Sequence, residues 1–184
     1  MKTLETQEVT GGLVEVPEDN YFKESQNSEE YCEEMWGKIN KPYEELKDIY
    51  REQIKSLPED TREDVKLFLN EKCRHGSQKH VTSPVGFVKK LLESMNRNSD
   101  RRKHPPPQIK NNDQMRKFFA ILLIENQGKF NGQSLILRSG HHNSASIERI
   151  DEYEGYTLRN MLMVTKDYQA STKKLKESSV ISDD

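Results

Sequence analysis

Cysteine is nearly absent from this chain: Cys32 and Cys73 stand far apart and neither belongs to a CxxC pair. That spacing argues against a cysteine-built zinc site and offers no disulfide framework. Long apolar runs are missing too. No stretch approaches the ~18 residues that cross a bilayer, and the N-terminus lacks the apolar core of a secretory signal. These absences predict a soluble, intracellular protein without a membrane partner, not secreted. It would work in the cytoplasm, or in a host cell if a virus or mobile element carries it. Apolar residues are also scarce. Of 184 residues 32% are hydrophobic and 33% charged, so the core must be thin for the length. A thin core favours helices with long solvated faces, or a small module with flexible flanks.

The formal charge of −2 averages two unlike regions. From Met1 to Glu34, Glu5, Glu8, Glu15, Glu18, Asp19, Glu24, Glu29, Glu30, Glu33 and Glu34 face only Lys2 and Lys23. Between Lys72 and Lys117 the balance reverses, and Arg97, Arg101, Arg102, Lys103, Lys110, Arg116 and Lys117 head a basic tract. Such a tract attracts a polyanion, whereas the acidic segment suits a basic protein partner.

Residues 1–28 are polar, acidic and without period, which predicts a disordered segment. Residues 29–96 carry helical spacing. Tyr31, Met35 and Ile39 mark a first helix, and Pro42 followed by Tyr43, Leu46, Ile49, Tyr50 and Ile54 marks a second. Asp60 and Glu63 have capping-box spacing ahead of Val65, Phe68, Leu69 and Cys73. Ser83-Pro84 opens a fourth helix that buries Phe87, Val88, Leu91, Leu92 and Met95. Residues 97–112, with Arg101-Arg102-Lys103-His104 and Pro105 to Pro107, read as an extended basic linker, either a phosphate-contacting arm or a solvated hinge. A fifth helix, capped by Asp113, carries Met115, Phe118, Phe119, Leu122 and Leu123 and ends at Gly128. Thereafter the period shortens. Strands are predicted at Ser134–Leu137, Ala145–Ile150 and Leu162–Thr165, then a closing helix from Lys166 to Lys176. The last divisions are thus 113–177, a module with its packing helix, and a tail, 178–184. The fold class is α+β: an N-terminal helical region followed by a small ββα module.

The informative string is Ser146-Ile147-Glu148-Arg149-Ile150-Asp151, then Glu154-Gly155-Tyr156-Thr157, then Asn160-Met161-Leu162-Met163-Val164. A hairpin ending in a carboxylate can hold a divalent cation against a phosphate oxygen and neutralise charge on the leaving group. Gly155 gives the turn a position free of Cβ clash, Tyr156 can fold back over the hairpin, and Asn160 can tie the loop through backbone groups.

Over residues 118–173 this order resembles a branch of the HNH (ββα-metal, His-Me finger) endonucleases that carries S-[IL]-[DE]-R-[IL]-D, a G-Y-T turn and an Asn-led strand. Gly128 to Leu135 is similar to that branch's opening segment. The resemblance implies a metal-dependent DNA endonuclease or nickase, with Mg²⁺ or another divalent cation, acting on DNA in preference to RNA. It makes Glu148 the first metal carboxylate and Gln169 a second ligand from the closing helix. Arg149 takes the place of the water-activating His of well-known members. Arg is too basic to accept a proton, so it becomes a phosphate clamp, and His141 or His142 becomes the base. Asn160, Gly155, Tyr156 and Asp151 support the site. Phe130 stands where relatives keep a Cys, so no zinc knuckle is expected. Asp151 reads equally as a carboxylate orienting Arg149 or as a strand-end ion pair, while a His pair in a polar loop is more often simply exposed to solvent. The alternative for the whole chain is a module that has lost cleavage and binds nucleic acid or inhibits a protein partner.

Overall fold

The computed structural model describes residues 27–72 and 83–172. The bulk of the acidic segment (1–26), Cys73, His75, His80, the end of the closing helix and the tail all lie outside those residues.

Helix α1 (Glu29–Ile39) starts where Ser28 Oγ accepts the Tyr31 N–H at 3.1 Å, with Glu29 and Glu30 in its first turn and Lys38 in its last. Those charges suit the helix dipole at each end. The second predicted helix is divided at Tyr50 into α2 (Tyr43–Ile49) and α3 (Arg51–Lys55), and Pro42 sits at the N-cap rather than inside. Helix α4 (Glu59–Phe68) follows Pro58, so Asp60 lies within the first turn and forms no cap.

Helix α5 (Pro84–Arg102) has the expected Ser83 cap, whose Oγ accepts from Gly86 N at 3.1 Å, and Pro84 at its start. It runs beyond 96, because no breaker intervenes before Pro105 and the buried stripe of Leu92 and Met95 continues to Ser99. Arg97, Arg101 and Arg102 are therefore helical, and the connection shrinks to 103–111. That connection is neither a free arm nor a solvated hinge: Pro107 and Ile109 are buried.

Helix α6 (Asn112–Asn126) is capped by Asn111, whose Oδ1 accepts from Gln114 N at 2.9 Å, and not by Asp113. Met115, Phe118, Phe119, Ala120, Ile121, Leu123 and Ile124 are all buried, and α1, α4 and α5 pack around it. Gln127 turns left-handed and Gly128 N–H returns to Leu123 O at 2.9 Å, closing the helix. A Cβ at Gly128 would lie 2.2 Å from the Thr61 hydroxyl oxygen. Glycine is thus required both by its positive φ and by the approach of α4.

Two antiparallel pairs follow. The first is β1 (Lys129–Phe130) with β2 (Gln133–Ser134), joined by Asn131-Gly132, both at positive φ. Asn-Gly is the preferred pair for such a turn. It takes the place of the longer strand expected at 134–137, of which Ile136 keeps one bridge to Ser144. The second is β3 (Ala145–Arg149) with β4 (Met161–Thr165), in register Ala145↔Thr165 to Arg149↔Met161. A 3-10 turn, Leu158–Asn160, leads into β4, and residues 166–172 form the closing helix, α7. The protein is α+β, and β3, β4 and α7 make a ββα unit. One apolar cluster runs from Met35 through α6 to Met163, so the ββα unit and the helices share a core. Among the described residues no helix is long and apolar enough to cross a membrane.

Candidate functional site

On β3 successive side chains point to opposite faces. Ser146 and Glu148 therefore look towards α7, and Arg149 looks away. The Glu148 carboxylate meets α7 twice, accepting from Gln169 Nε2 at 3.2 Å and from Thr172 Oγ1 at 3.1 Å. Gln169 and Thr172 are three residues apart, so both lie on one face of the helix. Gln169 also donates to Ile147 O at 3.4 Å and accepts from Ser146 Oγ at 3.0 Å. The acid and the helix residue expected to share a cation are thus brought together. Ser146, which opens the motif but carried no assigned role, and Thr172, which the sequence did not single out, complete the group. Strand alternation from Glu148 and helical spacing from Gln169 were the available signals.

Arg149 is turned to the loop between β3 and β4. It is 8% exposed, and its Nη1 donates to Glu152 O at 2.7 Å and Glu154 O at 3.1 Å. The guanidinium also lies 5.4 Å from the Tyr156 ring centre and 3.4 Å from His104 Nδ1. It braces the loop between β3 and β4.

Asn160 braces the same loop from inside. Fully buried, its Oδ1 accepts from Asp151 N at 2.7 Å, while Nδ2 donates to Asp151 O and Gly155 O, both at 2.9 Å. Asp151 serves this turn as well: its Oδ1 accepts from Tyr153 N at 2.9 Å, so it neither orients Arg149 nor forms a strand-end ion pair there. Gly155 does not sit at positive φ, and a Cβ there would be in ordinary contact with Pro105 O at 3.5 Å. Its smallness only lets the connection lie close. Tyr156 does fold back, with its hydroxyl 3.3 Å from Asn98 Nδ2 on α5 and its carbonyl accepting from Gln108 N at 2.8 Å. Gln108 also accepts from Leu158 N at 2.9 Å, so the connection after α5 is tied to the loop.

The histidines stand elsewhere. His141 and His142 stack with ring centres 4.5 Å apart ahead of β3, and His142 O accepts from Asp167 N at 3.1 Å at the start of α7. Glu148 lies three strand residues beyond Ala145, about 10 Å along β3. His141 Nδ1 accepts from Asn143 N at 3.0 Å, so in the neutral ring Nε2 carries the proton and cannot accept another. Both histidines lie in the loop that leads into β3, with the His142 backbone tied to the start of α7. Among the described residues no three His, Cys, Asp or Glu groups gather to hold a metal ion.

No family model, curated protein or solved structure matches the chain. The site therefore rests on its own geometry.

The basic tract is split by the fold. Arg97, Arg101, Arg102, Lys103 and Lys110 are exposed. Arg116 is 1% exposed and its Nη2 donates to Leu67 O at 3.2 Å and Asn70 O at 2.6 Å, at the C-terminal end of α4. Lys117 Nζ donates to Lys41 O at 2.6 Å and lies 4.5 Å from the Tyr43 ring centre, and burial pulls its pKa down. Arg116 is drawn inside with the apolar face of α6, while Lys117 is half-buried at its edge. An open cleft lined by Lys47, Arg51, Lys66 and Lys72 with Glu44 and Glu71 lies on the helical region, away from Glu148.

At the other end, Asn27 Nδ2 donates to Leu158 O at 2.6 Å and Arg159 Nε donates to Asn27 O at 3.3 Å. The root of the acidic segment is therefore fixed to the loop that also holds the basic connection.

Proposed function

We propose that the ββα unit is an HNH-type phosphodiesterase centre, making the protein a metal-dependent DNA endonuclease or nickase of low turnover. The observation that carries the reading is the Glu148 carboxylate at the end of β3, held against Gln169 and Thr172 of α7. The carboxylate is an oxygen ligand of the kind a hard cation prefers, and the Gln169 amide nitrogen and Thr172 hydroxyl hold it in place. Mg²⁺ commonly takes one or two carboxylates and fills its remaining positions with water and phosphate oxygens. Glu148 would hold it, with Gln169 beside it. The ion, when bound, supplies neutralisation of charge on the departing oxygen. Arg101, Arg102, Lys103 and Lys110 would track the backbone without reading bases. Low turnover follows from the residue in the base position, since Arg149 is committed to loop carbonyls.

A second reading is favoured by Gln169 and Thr172, which both donate to the Glu148 carboxylate, and by the lack, among the described residues, of three His, Cys, Asp or Glu groups gathered to hold a metal ion. Here the unit binds nucleic acid and does not cut. The acidic residues 1–26, which lead away from Asn27 on the 150–160 loop, then compete with DNA for the basic connection, or engage a basic protein partner.

Supercoiled plasmid with Mg²⁺ or Mn²⁺ tests the pair of readings. Nicking by the wild type and none by Glu148→Gln supports the enzyme. Salt-sensitive DNA binding without nicking leaves the binder, and no affinity for DNA removes both.

A further inference from the structure

Five cations at and beyond the end of α5 lack an acidic partner. Arg97, Arg101, Arg102, Lys103 and Lys110 are exposed, and none is in an ion pair with a described residue. The cations of α2 and α3 differ, since Lys47, Arg51 and Lys55 each pair with an acid three residues away. With Asp100 as their one acid and His104 neutral, residues 97–112 carry a formal charge of +4. Residues 1–26 carry −4, from Glu5, Glu8, Glu15, Glu18, Asp19 and Glu24 against Lys2 and Lys23.

The root of that acidic segment is fixed beside the cations. Asn27 Nδ2 donates to Leu158 O at 2.6 Å, and Arg159 Nε donates to Asn27 O at 3.3 Å. Leu158 N in turn donates at 2.9 Å to Gln108 Oε1, two residues from Lys110 and five from Lys103. Residue spans along that path put Lys110 within about 25 Å of Asn27 and Lys103 within about 35 Å. A chain the length of residues 1–26 reaches up to about 85 Å. Joining the two charges in one molecule also raises their effective concentration to the order of millimolar, so even a weak contact stays occupied.

We infer that residues 1–26 rest on Arg97, Arg101, Arg102, Lys103 and Lys110 as a tethered competitor, with Asn27 as the positioning residue that fixes where they leave the fold. Nucleic acid then reaches these cations only by displacing the chain's own acids. The inference deepens the reading of the basic connection as a nucleic-acid track, and rests on it for the competition but not for the contact. Counter-ions give it a distinctive consequence. A seated acidic segment has already expelled salt ions from the patch, so nucleic acid that displaces it releases fewer. Wild-type affinity therefore falls less steeply with salt than that of a chain whose acids are neutralised.

The test uses the full chain carrying Glu5→Gln, Glu8→Gln, Glu15→Gln, Glu18→Gln, Asp19→Asn and Glu24→Gln. A control has six exposed acids of α1 to α4 neutralised instead, so the two share one net charge. Without nucleic acid, ¹H–¹⁵N NMR should show the backbone amides of 97–110 displaced in the first chain and unmoved in the control. Added salt should displace them likewise in the wild type. A short DNA duplex should bind the first chain about tenfold more tightly than the control, the factor for a patch left open about a tenth of the time. The salt slope should also be the steeper of the two. Asn27→Ala, which keeps every charge, should fall between the wild type and the neutralised chain.

Amides of 97–110 that coincide in the wild type and the neutralised chain, or that move equally in the control, overturn the inference. So does displacement that vanishes on dilution, which would seat the segment on a second copy. Displaced amides with equal duplex affinity and slope overturn the competition. Displaced amides with no duplex affinity in any variant support the contact and count against the nucleic-acid readings instead. Should the neutralised chain not fold, Lys103→Glu with Lys110→Glu carries the test. It should displace the amides of residues 1–26 in the absence of nucleic acid, and unmoved amides overturn the inference.

Discussion

Glu148 and Arg149 are adjacent in sequence and serve opposite sides of one strand. The carboxylate meets α7 at Gln169, 3.2 Å away, while the guanidinium reaches the carbonyls of Glu152 and Glu154 at 2.7 and 3.1 Å. One residue is therefore open to a role in chemistry, and the other maintains the loop that shapes the site.

Arg149→Lys should lower stability by about 2 kcal/mol, since a point-like ammonium cannot donate to both carbonyls and also lay a planar cation by the Tyr156 ring. Its effect on DNA should be unlike that of the exposed arginines. Arg101→Ala with Arg102→Ala is expected to flatten the slope of log affinity against log salt by about 0.9 for each lost phosphate contact. Arg149→Lys should leave that slope unchanged. A slope that falls in Arg149→Lys would return it to the phosphate.

Asn160→Ala removes the side chain that spans the loop and strands the Asp151 N–H in a buried site. A loss of about 3 kcal/mol is expected. Asn160→Asp should not rescue it, because the carbonyls of Asp151 and Gly155 need a donor that a carboxylate lacks. Denaturant unfolding followed by circular dichroism gives both values.

Arg116 is the buried cation of the chain's centre, with Nε and Nη1 lacking hydrogen-bond partners and its guanidinium 5.2 Å from the Tyr43 ring centre. A buried charge so partnered gains little over an apolar side chain of its size. Arg116→Met should stay within about 1 kcal/mol of wild type, and Arg116→Ala, which opens a cavity, should cost about 3 kcal/mol. Thermal melts of the two variants separate packing from charge.

Asp64 on α4 has its pKa raised to about 6 by burial first, then by Asp60 and Glu63. Below the ordinary carboxyl range the group is neutral in both folded and unfolded chains and costs nothing. As pH climbs to 6 the unfolded chain releases the proton and the folded one resists, so wild-type stability falls across that window and stays lower above it. The carboxyl is partly open to solvent, so the loss is about 1 kcal/mol. Asp64→Asn should raise the melting temperature by about 2–4 °C at pH 7 and by clearly less at pH 4. Equal effects at both pH values would contradict this origin.

Local signals in the chain were strong where one residue type has one physical use. Ser83-Pro84 could only open a helix, the run from Met115 to Leu123 could only be core, and Asn160 ahead of an apolar strand could only tie a loop. They were weak where two neighbours offered the same service. Pro58 displaced Asp60 at the start of α4, and Asn111 displaced Asp113 at the start of α6, because caps differ by only about 1 kcal/mol. The period-two rule also held information that went unused. It puts Ser146 with Glu148 and separates Arg149 from both before any coordinates are known.

The order of residues alone decided the α+β class and the two apolar strands, β3 and β4, that a polar loop separates. Those depend on periodicity and on contacts within a few dozen residues. Only the packed chain decided which basic side chains remain outside, that the proline connection lies against Tyr156, and that the two histidines stack on each other. Such outcomes depend on how α6 rotates against α2 and α4 and on where a loop comes to rest. Many weak contacts between distant segments settle that together, and no single stretch of sequence encodes their sum.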